Sequence, residues 1–319
     1  MQREVSIDLF RGMIVILFLF LNFLFSFSPE NTIPFILRHN QPNALLPGDF
    51  IAALFAFVMG AALSLSYERR VRNNESHSII LMTYARRFVM LIVIGVILDS
   101  LWALGELKFQ WGVLQTLGLA GMVSILLLQF TNRKKIIIAI SVLVVYGLLL
   151  LQNQIFYEYI NSTRHGGPLG ALSYSVIMIF GFVSSSMLIL EQKPYREMIV
   201  IGIAIILLSL LCSLVIPYNK LLVTPSYALI TAGAGIVLLV ALRYFCEKYN
   251  ITSGPLLLFG RNSLLAWVLQ YPLVYYPLML FEVWTPFGFF EGIMLAFWFV
   301  FITYFLVKLA EGHNISLRM

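Results

Sequence analysis

Residues 9–27 read LFRGMIVILFLFLNFLFSF, an apolar run interrupted only by Arg11, Gly12, Asn22 and Ser26. About 20 mostly apolar residues cross roughly 30 Å of hydrocarbon as a helix, so this stretch is long enough to span a bilayer. It follows a charged start, Met1-Gln2-Arg3-Glu4, as a secretory signal would. The sequence after it, Phe25-Ser26-Phe27-Ser28-Pro29, offers no small-residue cleavage site, so it reads as a retained helix. Further apolar runs lie near 50–66, 84–104, 111–130, 136–152, 171–190, 198–216, 226–244, 257–281 and 291–309. The predicted fold class is all-α, a polytopic membrane helix bundle of about ten transmembrane helices in a single domain over 1–319.

Composition agrees. Of 319 residues, 60% are hydrophobic and 11% charged, against about 25% charged in an ordinary soluble protein. That excludes a soluble globular enzyme, a disordered chain and a secreted disulfide scaffold. Cys212 and Cys246 form no CxxC or Cys/His cluster, so no metal site is expected. The net charge of +6 reports topology rather than nucleic-acid binding. With the N-terminus inside, only Arg38, Lys108, Arg164 and Lys220 of the 21 lysines and arginines fall outside. By the positive-inside rule both termini are cytoplasmic.

The candidate chemistry sits at two levels. The outer loop 28–49 is long for a bundle connector and carries His39, Asn40, Asn43 and Asp49. Histidine titrates near neutrality and suits proton abstraction or acyl acceptance. Asp49 orients the imidazole if the loop folds back; otherwise it is a helix N-cap. Asn22, Asp99 and Gln115 lie in the outer parts of their spans. They either converge with the loop on one outward cavity or make interhelical hydrogen bonds and solvated helix ends. On the inner face, Arg69, Arg70, Arg86 and Arg87, with Arg261-Asn262-Ser263 at a helix start, suit phosphate groups or simply anchor the bundle. His165, in Arg-His-Gly-Gly-Pro, is a second and poorer candidate. Tyr271, Tyr275 and Tyr276 read as an interfacial aromatic belt, and Gly233-x-Gly235 as a site of close helix packing.

In order along the chain, several segments resemble the heparan-alpha-glucosaminide N-acetyltransferase family of transmembrane acyltransferases. Asp8-Leu9-Phe10-Arg11-Gly12 with Asn22 is similar to that family's opening, D-x-F-R-G followed by Asn fourteen residues after the Asp. His39, Asn43 and Asp49 match its histidine ten residues before an aspartate with Asn between. Gly112-Val113-Leu114-Gln115, Asn219-Lys220, Thr224-Pro225-Ser226-Tyr227 and Gly260-x-Asn262-Ser263-Leu264 resemble later segments. Pro42, Thr116 and Arg164-His165-Gly166-Gly167 depart from the family pattern on the acceptor side.

The resemblance implies acetyl transfer from cytosolic acetyl-CoA to an acceptor across the membrane. His39 would be the catalytic histidine, as acetyl carrier or general base, with Asn22, Asn43 and Asp49 around it. The inner set Arg69, Arg70, Arg86, Arg87, Arg261, Asn262 and Ser263 would meet the CoA phosphates. The expected partners are the lipid bilayer and an extracytoplasmic glycan or amino-sugar acceptor, with no nucleic acid and a homodimer left open. The lack of the lysosomal enzyme's N-terminal luminal region suggests a compact bacterial-type member in the plasma membrane. A transporter or flippase with a polar cavity and no bond chemistry is the alternative.

Overall fold

The computed structural model describes residues 4–38, 45–101, 110–281 and 287–315. These residues are all helix and connection, with no strand among them. Along the chain run α1 (Val5–Phe27), α2 (Phe50–Arg72), α3 (His77–Leu101), α4 (Val113–Ile125), α5 (Asn132–Gln152), α6 (Gln154–Ser162) and α7 (Gly167–Ser185). They are followed by α8 (Tyr195–Ser213), α9 (Pro225–Tyr249), α10 (Pro255–Arg261), α11 (Ser263–Gln270), α12 (Tyr276–Leu280) and α13 (Phe289–Gly312). Backbone groups have no water to bond in hydrocarbon, so helices that satisfy their own N–H and C=O groups are the expected solution.

Among the described residues, nine helical segments are long and apolar enough to span a membrane. The run predicted near 111–130 departs from this: its continuous helix α4 covers only Val113–Ile125. The chain then tightens, Leu126, Leu127 and Leu128 donating to the carbonyls three residues back. Lys135 Nζ caps this end, donating to Leu128 O at 3.1 Å and to Phe130 O. A lysine among the terminal carbonyls of a helix satisfies groups that have no partner within the helix. The run near 257–281 is also not one helix. Asn262 (φ −120°, ψ 34°) separates α10 from α11, and a π-turn at Tyr271–Tyr275 joins α11 to α12.

Burial sorts helices that hydropathy does not. About 78% of the span built around α7 is buried, against 17% for α8 and α13, which face outward. Inside hydrocarbon, helices gain little by hiding apolar surface and associate through close packing, which favours small residues. Gly60 on α2 and Gly181 on α7 face each other's backbones: an added Cβ would come within 1.8 Å of Met178 O and 1.9 Å of Phe57 O. Gly12 on α1 and Gly260 on α10 do the same against Leu256 O and Asp8 O, both at 1.8 Å. Gly233 and Gly235 pack as predicted, against α8 and the Phe57 ring.

Substituting either glycine of a reciprocal pair must push two backbones apart. Gly181→Leu and Gly260→Leu are expected to lose at least about 1–3 kcal/mol, the usual cost of overpacking. Gly312→Ala, with open space around its Cβ, is expected to be neutral. Thermal denaturation in detergent checks the contrast.

Candidate functional site

Three helices carry rows of residues from the arginine-rich end of the bundle to the opposite end. On α1 the row is Asp8, Arg11, Val15, Phe18 and Asn22. On α2, read backwards, it is Arg69, Ser66, Ala62, Met59, Phe55 and Ala52, ending at Asp49 just before the helix. On α11 it is Ser263, Trp267 and Gln270. Residues three and four apart share a helix face, so each row is continuous. At 1.5 Å per residue, Arg11 and Asn22 lie roughly 16 Å apart along the axis.

At the arginine-rich end these rows enclose a cavity of about 360 Å³. Arg11, Arg69, Arg87 and Arg261 line it together with Ser66, Tyr84 and Ser263. Its deeper wall is apolar: Phe55, Met59, Leu91, Leu114 and Trp267. The glycine contact holds the mouth together, because Arg11 Nη1 donates to Gly260 O at 3.2 Å and lies 3.7 Å from Asp8 Oδ1. Arg87 lies 5.8 Å from the Tyr84 ring centroid, and Tyr84 OH donates to Ser66 Oγ at 2.8 Å. The other sequence-predicted donor-site positions stand outside the lining. Arg70 pairs with Glu75, Arg86 is exposed, and buried Asn262 donates to Leu258 O at 3.1 Å.

Beyond Phe55 and Trp267, which border both spaces, lies a second cavity of about 10 Å³ among Ile14, Val15, Phe18, Ile51, Ala52 and Val113. Above it the rows end in polar groups. Asn22 Nδ2 donates to Gln270 Oε1 at 2.9 Å. Next along the chain, Tyr271 OH donates to Asp99 Oδ1 at 3.0 Å, and Gln115 Nε2 donates to Asp99 Oδ2 at 2.9 Å. Asp99 is thus a bonded group between helices, and Tyr271, expected in an interfacial belt, is buried against it. Tyr276 OH likewise donates to Leu98 O at 3.3 Å.

Asp49 belongs to a separate cluster. It is 1% exposed, and Leu46 N–H donates to its Oδ2 at 3.0 Å, a bond that points back along the chain rather than forward as an N-cap would. Lys220 Nζ lies 3.4 Å from Asp49 Oδ1. Tyr227 OH donates to the Asp49 backbone carbonyl at 2.7 Å. The turn that delivers Lys220 is pinned by its neighbours. Asn219 Oδ1 accepts from Leu222 N at 2.9 Å, and Thr224 Oγ1 from Asn219 N at 3.1 Å. Burial pushes the Lys220 ammonium below the ordinary lysine range, with the Asp49 charge opposing that shift. His165 (φ 54°) reaches the same end, its Nδ1 3.4 Å from Tyr174 OH.

His39 and Asn43 lie outside the described residues, so the expected histidine is bracketed by described neighbours: Arg38 on one side, and Leu46 and Asp49 on the other. Arg11, Trp267, Gln270, Lys220 and Tyr227 were not singled out as site residues from the sequence. The signal for Arg11 and Gln270 was available in helical spacing, from Asp8 and Trp267. Lys220 meets Asp49 across 171 positions, which spacing does not reveal. No group of three or more His, Cys, Asp or Glu side chains suited to a metal ion occurs among the described residues.

The arrangement is a cationic, apolar-backed cavity open at one end and polar side chains at the other, separated by aromatic rings within the bundle. A comparison with curated proteins finds no match. A family profile described as heparan-alpha-glucosaminide N-acetyltransferase, catalytic, matches residues 3–205, covering α1 to α7 and with them Arg11, Asn22, Asp49, Arg69 and Arg87. The chain therefore belongs to the heparan-alpha-glucosaminide N-acetyltransferase family of transmembrane acetyltransferases.

Proposed function

We propose that the chain is a single acyltransferase domain that takes an acetyl group from acetyl-CoA on the cytoplasmic side and delivers it to an amine or hydroxyl of an extracytoplasmic glycan. The observation that carries this is the cavity with arginines at its mouth and apolar walls behind them. Guanidinium groups pair well with phosphate oxygens, and an apolar wall suits a pantetheine arm. Arg11, Arg69, Arg87 and Arg261 would hold the phosphates, with Arg70 and Arg86 adding positive potential around the mouth. Asn262 shapes the α10–α11 break and leaves Ser263 at the cavity wall. A bacterial plasma membrane is the location we infer.

His39 acts on the thioester delivered from below. As a carrier, its imidazole nitrogen bonds the acetyl carbon and the C–S bond breaks. CoA leaves as a thiolate that takes up a proton. The acceptor then displaces the imidazole and surrenders its own proton. As a base, His39 removes that proton while the acceptor attacks the thioester directly. Both routes end in free CoA and an acetylated glycan. The Asn22 amide has two N–H groups and Gln270 uses one, leaving the second to face the developing oxyanion, with Asn43 as a further donor. Asp49, held by Lys220, orients His39.

A thermal-shift titration of the purified protein tests the donor. Saturating acetyl-CoA at a hundredfold excess over Kd is expected to stabilise the fold by about 2.7 kcal/mol. Arg87→Gln is expected to weaken Kd roughly tenfold or more, the loss of a charge-assisted hydrogen bond, while Arg196→Gln, at an exposed arginine of α8 outside the cavity lining, leaves it unchanged. No shift at millimolar acetyl-CoA overturns the reading and favours a solute transporter.

His39→Ala is expected to keep the acetyl-CoA shift and to lose transfer by about two orders of magnitude or more, the usual worth of general acid–base catalysis. Full transfer in a folded His39→Ala protein rules out that role. Rapid quenching with radiolabelled acetyl-CoA separates the routes, since only the carrier leaves label on the protein.

Lys220 gives a pH signature. It is charged, and holds Asp49, below its pKa. Because burial sets that pKa under the ordinary 10.5, activity is expected to fall as pH rises through a value below 10.5. Lys220→Arg, which stays charged, should move that limb upward. An unchanged alkaline limb removes Lys220 from the mechanism.

A further inference from the structure

The donor cavity does not run freely to the polar end of the bundle. Phe18 and Trp267 close it, stacked with ring centroids 3.8 Å apart and planes 15° from parallel. Phe55 stands beside them on the boundary between the two spaces. Beyond the rings, the second cavity of about 10 Å³ is near the limit for a single water molecule, and Ile14, Ile51 and Val113 make it apolar. The Trp267 indole is 7% exposed, and its Nε1–H meets no acceptor among the described residues. A buried donor without a partner is uncommon in folded proteins. Here it lies on the residue that an acyl thioester rising from the arginine mouth meets at the end of the cavity.

We propose that Phe18, Trp267 and Phe55 form a gauge that limits the transferred acyl group to the shortest chains. The inference rests on the donor reading above and adds a residue-level determinant to it. A two-carbon acyl group needs only a modest displacement of the stacked rings to enter the space beyond them. Every added methylene must find volume against three aromatic side chains in a close-packed bundle, where extra volume is resisted. The Trp267 N–H offers the acyl carbonyl a hydrogen bond at the gauge, which favours a carbonyl group there over the bare thiol of CoA.

The test is a titration of the full-length protein in detergent with CoA, acetyl-CoA, butyryl-CoA and hexanoyl-CoA, read by thermal shift. Wild type is expected to bind hexanoyl-CoA at least about tenfold more weakly than acetyl-CoA. Phe18→Ala and Trp267→Ala are expected to remove most of that difference by opening space in the septum. If either alanine variant fails to fold, Phe18→Leu and Trp267→Phe carry the same test with a smaller relaxation. Equal affinity of wild type for acetyl- and hexanoyl-CoA overturns the gauge, as does an unchanged chain-length ranking in the variants. Absence of any shift with acetyl-CoA as well as with CoA is a different failure, since it overturns the donor reading on which the gauge stands.

Discussion

Backbone contact between α1 and α10 fixes the register on which the rest of the site depends. Gly12 lies against Leu256 O and Gly260 against Asp8 O, too close for any Cβ on either side. With the two helices locked at this distance, Arg11 reaches Gly260 O and stands at the cavity mouth beside Arg261. Farther along α1, and on α11 just beyond the Asn262 break, Phe18 meets Trp267 and Asn22 meets Gln270. A slip of one residue would rotate α1 by roughly 100° and break all three contacts together. The glycines of the Asp-x-Phe-Arg-Gly and Gly-x-Asn-Ser segments therefore act through geometry, while the arginines beside them carry the charge.

Charge is placed where it can be compensated. At the cavity mouth the arginines remain partly solvated, so a phosphate ligand bound there would replace water rather than create a new buried charge. At the opposite end Asp49 is buried, and an unpaired buried carboxylate is costly. Lys220, the Leu46 amide and the firmly held turn around Asn219 offset that cost. Removing one partner of such a pair is usually more damaging than removing both. Asp99 is handled differently, by two neutral donors, Tyr271 and Gln115. Two carboxylates at the same end of the bundle thus sit in distinct surroundings, one paired with a cation and one held by neutral hydrogen bonds.

The spans and the basic end were legible in the sequence because both depend on composition along short stretches. Relative burial was not. α7 and α8 are both strongly apolar, yet one is central and the other peripheral, since lipid and protein interior select the same side chains. The small and hydroxyl-bearing residues of α7, among them Gly170, Ser173, Ser175 and Gly181, held the signal that hydropathy ignores. The cationic set was only partly resolved. Arg69, Arg87 and Arg261 reach the cavity while Arg70 and Arg86 do not, a matter of helix rotation within one basic cluster. Asp49 and Lys220 meet because α2 and the turn before α9 meet, and no local pattern announces that. The tyrosines at 271 and 276 looked interfacial from their position near a helix end, but their hydroxyls follow α3 instead.

The shape of the path bears on what it can carry. A transporter must open its barrier alternately to both sides around a fixed site, usually near the midplane and built from broken helices in repeated halves. Here the space is one-sided, wide and cationic at one end and narrowed to about 10 Å³ past the aromatic septum. Charged phosphates held at such a mouth have no reason to go deeper, because hydrocarbon surroundings penalise charge heavily. A short neutral acyl group on a flexible arm meets no such penalty. A fold that keeps the charged part of a donor at one face and lets only its neutral end advance is suited to moving a small group across a membrane by bond exchange. On the proposed donor reading, the helix rows from Arg11 to Asn22 and from Ser263 to Gln270 would divide a held nucleotide from a travelling acyl group.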